Sequence, residues 1–225
     1  MISSSSTTRK DSLDKLEVRV VIFSLRDNAL QALLARSVQN LAWELPGVPI
    51  QVDQSLEEAA SQCLGRFIGL REAYLEQLYT YGRPPRDPSQ RQIAVVYFAI
   101  IPADAVTLAS GQAQASWFPI EALPELILDH SEIIRYALRR LRYKLEYTAV
   151  GFELLPENFS LTELQHTYEL ILGEKLDKRN FRRRILQAGV IESTQQIRSS
   201  EGRPARLYRY RPDAVAEVQA RRLFP

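Results

Sequence analysis

The sequence predicts an α+β protein, an α/β/α sandwich followed by a smaller domain of two helices and a β-hairpin. Three observations predict it. Short β-branched runs surround a single early capped helix without regular strand–helix alternation. Two more capped helices follow in the second half, the latter crowded with arginine. Charge divides along the same line: Lys175 to Arg211 carries +8 and residues 1–174 carry −6, although the 225-residue chain nets only +2. An acidic body with a basic segment suggests that the segment meets a polyanion.

The polar start, "MISSSSTTRKDS", reads as a disordered tail, placed at residues 1–14. "EVRVVIFSL" (17–25) is β-branched and ends at the turn pair Asp27-Asn28, with "LQALLAR" (30–36) as its hairpin partner. Ser55-x-x-Glu58 is a capping box opening a helix whose apolar face is Ala59, Ala60, Cys63, Leu64 and Phe67, and Gly69 closes it. "AYLEQLYTYG", "RQIAVVYFAII" and "QASWFPI" read as further strands. A long helix is expected over 131–147, where Ile133, Ile134, Ala137, Leu138, Leu141 and Leu145 keep helical spacing. "GFELLPENF" breaks that pattern, dividing the chain into domains at 15–150 and 151–225.

In the second domain, Ser160-x-x-Glu163 caps a helix with Leu164 and Tyr168 on its stripe, ended by Gly173. Asp177 caps "KRNFRRRILQA", ended by Gly189, and "VIEST" and "ARLYRYRP" flank the loop "QQIRSSEGRP". Helix, turn, basic helix and basic hairpin describe a winged helix-turn-helix.

Composition excludes several classes. At 45% hydrophobic and 25% charged residues the chain is an ordinary globular one. Its longest apolar runs are too short to span a membrane, no secretory signal opens it, and the single Cys63 rules out an internal disulfide framework and suits a reducing cytoplasm.

"ELPGVPIQVDQSLEEAASQCLGRFIGL" (44–70) resembles the box of Nudix hydrolases, in which a glycine, five residues, a glutamate and seven residues precede Arg-Glu-apolar-x-Glu-Glu-x-Gly-apolar. The register on Gly69-Leu70 needs no gap. Such glutamates gather on one helix face to hold divalent cations against a diphosphate. Here the initial glycine is Val48, the first glutamate is Gln54, Arg-Glu is Gln62-Cys63 and Glu-Glu is Arg66-Phe67. Arg66 would repel a cation and Phe67 cannot ligate one, so no metal, no other cofactor and no catalytic residue is expected. Cys63 lies on the apolar side and reads as a buried thiol, not a nucleophile.

"YTYGRPPRDPSQRQIAVVYFAI" (79–100) places Arg83, Arg86 and Arg91 around a proline-stiffened loop. Arginine forks suit a pyrophosphate, and Tyr81 or Trp43 could stack on a base. Residue chemistry alone favours the plainer reading, a solvated loop with ordinary surface arginines. In "DKRNFRRRILQAG", Phe181, Ile185 and Ala188 share the face expected to bury against Leu164 and Tyr168. Arg179, Arg183 and Gln187 follow at i, i+4, i+8 with Asn180 beside them, a candidate major-groove edge. Lys178, Arg182 and Arg184 on the flanks suit phosphates. In the wing, Arg203 could enter a minor groove, with Arg198 and Arg206 near the backbone.

A Nudix-like domain fused to a winged helix resembles the NrtR family, the Nudix-related transcriptional regulators of bacteria. The resemblance rests on "YLEQLYTYGRPPRDP" (74–88), "HSEIIRYALRRLRYKLEY" (130–147), "FELLPENFSLTELQ" (152–165), "LDKRNFRRRIL" (176–186) and "GRPARLYRY" (202–210). It implies repression of NAD-metabolism genes by a homodimer on a palindromic operator, with ADP-ribose or a related nucleotide as the effector that releases DNA. A hydrolase with residual activity on ADP-ribose-like diphosphates and a protein-binding adaptor are the alternatives.

Overall fold

The computed structural model describes residues 15–36, 42–70, 72–84, 86–106, 114–147, 149–198 and 204–214. The tail expected over 1–14 and the wing tip with Arg203 lie outside the described residues. Strand β1 (Lys15–Arg26) is central, because its run of valines and Ile22 is buried on both faces. It pairs antiparallel with β2 (Ala29–Arg36) through the expected turn, where Asp27 and Asn28 take φ of 48° and 61°. Asp and Asn tolerate that left-handed conformation better than most residues, which is why the pair marks the hairpin. On its other edge β1 runs parallel to β6 (Gln92–Ile100) from Lys15↔Gln92 to Phe23↔Ile100.

The sheet order is β3–β2–β1–β6–β5, with β3 at Trp43–Glu44 and β5 at Tyr74–Tyr81. Strand β4 (Gly47–Pro49) adds to β1 and β7 (Ala115–Pro119) to β2. The short β3 and β4 carry no alternation that sequence reading could detect; pairing with longer neighbours makes them strands. Helix α1 (Leu56–Ile68) covers one face of the sheet, packing Ala60, Leu64 and Phe67 on Val18, Val20 and Ile22. Helix α2 (His130–Tyr147) covers the other, placing Ile133, Ile134, Ala137 and Leu141 on Val21, Phe98 and Val96. This is the expected α/β/α sandwich. Among the described residues no helix is long and apolar enough to cross a membrane.

Burial resumes beyond α2 in the same cluster. Leu145, Val150, Phe152, Leu155 and Phe159 belong to one cluster with Leu164, Tyr168, Ile171, Phe181 and Ile185. A 3-10 turn at Ala149–Leu154 makes the passage, and Gly151 lies so close that a Cβ there would stand 2.9 Å from both Leu145 and Tyr168 side chains. Beyond it, α3 (Leu161–Leu172) and α4 (Lys178–Ala188) pack beside a three-stranded sheet ordered β8–β10–β9. Here β8 is Phe159–Ser160, β9 Ile191–Arg198 and β10 Ala205–Tyr210. Strand β9 extends four residues into the expected loop, because Ile197 and Arg198 find partners in Arg206 and Ala205.

Candidate functional site

Helix α4 is built to present one face outward. Asp177 caps it by accepting from the Asn180 backbone N–H at 2.7 Å, and Gly189 ends it at φ 67°. Phe181 and Ile185 are buried as expected, with the Phe181 and Tyr168 rings edge-on at 5.5 Å; Ala188 is partly buried on the same cluster. The opposite arc carries exposed Arg179, Arg183 and Gln187, with Lys178 exposed at the helix start and Arg182 and Arg184 half-buried on the flanks. Asn180 is turned toward this arc: Arg183 Nη2 donates to its Oδ1 at 2.8 Å.

Two cations expected on DNA phosphates make contacts within the protein. Arg182 donates to Thr162 Oγ1 at 3.1 Å. Arg198 donates to Glu163 Oε1 at 2.5 Å and to the Asn158 carbonyl at 3.1 Å, which ties the wing to the start of α3. Arg206 is exposed on β10.

In the box, helix geometry divides the substituted positions. Cys63 is fully buried and Phe67 6% exposed, both in the α1–sheet core. Burial pushes the Cys63 thiol up to about 12, against the pull of Arg19 and Arg66. Val48, Gln54 and Arg66 edge an open groove along α1, where Gln54 Nε2 donates to Gln62 Oε1 at 2.9 Å and Arg66 lies over the Phe67 ring at 5.7 Å. Of the acids on this groove, Glu57 accepts from Tyr97 Oη at 3.0 Å and Glu58 closes the capping box on Ser55. A protonated thiol, a phenyl ring and a guanidinium do not fit the divalent cation that the box implies.

The arginine loop lies across the sheet. Tyr81 and Trp43 pack on the α2-side cluster, whereas the box helix packs on the other. Arg83 is exposed. Arg91 donates to the Gly82 carbonyl at 2.7 Å, closing the base of the loop. Arg86 departs from the expectation of a solvated fork. Its side chain is 2% exposed, with Nε 2.9 and 3.0 Å from the Asp129 carboxylate oxygens and Nη1 3.7 Å from Glu17 Oε1. Trp43 sits edge-on to Phe118 at 4.7 Å, under the Arg36 guanidinium at 4.9 Å.

Arg86 belongs to a polar cluster that sequence reading missed. Arg19 donates to Glu17 at 2.8 Å, to Glu44 at 2.9 Å and to the Leu45 carbonyl at 2.6 Å. The Leu45 backbone N–H donates to His130 Nδ1 at 3.1 Å. Burial, then the charges of Arg19 and Arg86, hold that imidazole well below the ordinary histidine value. Gly47 makes room, since a Cβ there would fall 2.4 Å from Arg19 Cδ. The available signal was Glu17 and Arg19, two charges of equal parity in the otherwise apolar run 16–23.

Fold and site together define a class: a Nudix-type sandwich carrying a winged helix whose second helix has an exposed basic face. The family model for the NrtR DNA-binding winged helix domain matches residues 151–210. The ADPR responsive transcriptional repressor NtrR of Acinetobacter baylyi is 38% identical over 203 residues, 87% of this chain and 81% of the relative. Shewanella oneidensis NrtR in complex with a 27mer DNA superposes with a TM-score of 0.81 at 33% identity, covering 92% of this chain and 96% of that one. The NUDIX domain of the same Shewanella protein with ADP ribose superposes with a TM-score of 0.50 at 28% identity, over 56% of this chain and 88% of that one. The chain belongs to the NrtR family of Nudix-related transcriptional regulators.

Proposed function

We propose that this protein is a transcriptional repressor of NAD-metabolism genes, released from DNA by ADP-ribose or a related nucleotide that its Nudix domain binds without hydrolysing. The observation that carries this reading is the arc of Arg179, Arg183 and Gln187, solvent-facing on a helix whose other side is packed. Arginine can fork onto guanine, and glutamine onto adenine. Asn180 adds a second amide or orients Arg183. Lys178, Arg184 and Arg206 meet phosphates, with Arg182 and Arg198 reaching them only by leaving their present partners, and Arg203 reads from the wing tip. The reader spans 151–225 and the sensor 15–150.

For the effector, Trp43 and Tyr81 offer ring faces and Arg83 and Arg91 the charges, while Arg86 holds the loop in place behind them. Signal transfer has a physical route. Arg142 Nε on α2 donates to the Ile171 carbonyl on α3 at 2.8 Å, and Asn28 of the β1–β2 turn contacts His166. Beside these contacts a cleft of about 350 Å³, edged by Ile120, Leu138 and Lys175, leaves room for α3 to shift. A nucleotide that favours one geometry of a homodimer would change the spacing of its two recognition helices, and so its affinity for a palindrome in the cytoplasm.

The test is selection of duplexes from a random pool, followed by anisotropy titrations with and without ADP-ribose. The reading expects a palindromic site, affinity that falls steeply with salt, and weaker binding when ADP-ribose is present. Selection of no site, or affinity indifferent to ADP-ribose and related nucleotides, would overturn it. AMP release from ADP-ribose with Mg²⁺ or Mn²⁺ would favour the hydrolase instead.

A further inference from the structure

The outward arc of α4 contains one residue that neither charge nor packing explains. Leu186 is 50% exposed. The inner side of the helix is already filled by Phe181 and Ile185, so the core does not require it. At about 100° per residue, Leu186 lies roughly 60° from Arg183 and 20° beyond Arg179, at the margin of the reading arc. Its neighbours there end in guanidinium or amide groups, while Leu186 ends in two methyls and can neither donate nor accept a hydrogen bond. A base edge in the major groove presents an aliphatic side chain with one matching feature, the C5 methyl of thymine.

The geometry also sets where that thymine lies. Arg183 donates to Asn180 Oδ1 at 2.8 Å, so its guanidinium is anchored on the side of the arc away from Leu186. Leu186 follows Arg183 by three residues, about 4.5 Å along the helix axis, close to one step of the 3.4 Å base spacing. We propose that Leu186 reads sequence by packing on a thymine methyl one base-pair step from the guanine that Arg183 contacts. This rests on the DNA-reading function above and adds a base to it.

Deoxyuridine tests the inference, since it removes the methyl and leaves every hydrogen-bonding edge intact. On the selected duplex each thymine is replaced singly by deoxyuridine, and affinities are measured for the full-length protein and for Leu186→Ala. One replacement per half-site, beside the guanine on which Arg183→Ala loses its preference, should weaken the unmodified protein about fourfold, the effect of one buried methyl. Leu186→Ala should bind thymine and deoxyuridine duplexes equally, at the weakened affinity. If no replacement weakens the unmodified protein, or if Leu186→Ala retains the same sensitivity, the inference is overturned while the DNA-reading function stands. If no duplex is selected at all, the function itself fails.

Discussion

Arg86 and Asp129, 43 residues apart, meet with the Arg86 Nε 2.9 and 3.0 Å from the two carboxylate oxygens. The contact fastens the 82–92 loop to the start of α2, with Glu17 behind it. A guanidinium 2% exposed cannot lose its partner cheaply. Asp129→Ala should cost about 1–3 kcal/mol of stability, because the buried guanidinium loses both hydrogen bonds and keeps only Glu17 at 3.7 Å. Urea denaturation without ligand checks it. A loss below about 1 kcal/mol would mean that the pair is a surface one and that Arg86 is free to meet the effector after all.

His130 gives the fold an acid sensitivity of definite sign. Its folded imidazole is held well below the ordinary value, so the unfolded chain binds a proton that the folded one refuses. The neutral form's contribution is complete above pH of about 6.5 and is lost as pH falls below it, at up to about 1.4 kcal/mol per pH unit. His130→Asn should flatten the melting temperature against pH between about 6.5 and 5. The chain has only one other histidine, His166, so an unchanged slope in this variant would place the proton uptake elsewhere.

Cys63 should be inert in the folded protein, since its thiol is fully buried and pushed up to about 12. Thiolate is the reactive form, and at neutral pH almost none is present. A disulfide reagent at pH 7.5 should label the chain only in denaturant. Prompt labelling of the native protein would contradict the packing of α1.

The Arg198–Glu163 contact makes the wing part of the α3 cap. Burial raises the Glu163 carboxyl, but the Ser160 backbone N–H and Arg198 outweigh it and hold the group below its ordinary value. Its stabilisation is therefore present above the usual carboxylate range and lost as pH falls below it. Arg198→Ala should cost about 0.2–1 kcal/mol, because the pair is exposed, and should leave less of the stability to be lost on acidification from pH 5 to 3. Denaturation midpoints at several pH values check both.

Sequence alone determined the elements whose cause is local. Ser55 with Glu58, Ser160 with Glu163, and Asp177 announce helices because their side chains satisfy backbone groups three residues away. The inner and outer arcs of α4 follow from helical spacing, and the replacement of the box's usual glutamates is read from residue identity. What depends on distant partners was left to tertiary structure. Nothing local tells Arg86 from Arg83, yet one is sealed against Asp129 and the other is in solvent. Arg198 reads as a DNA contact until the wing folds back onto Glu163. The box helix and the arginine loop are neighbours in sequence order, yet α1 packs on one face of the sheet and Tyr81 on the other. Periodicity reports which face of an element is apolar; only the packed fold determines what the polar face meets.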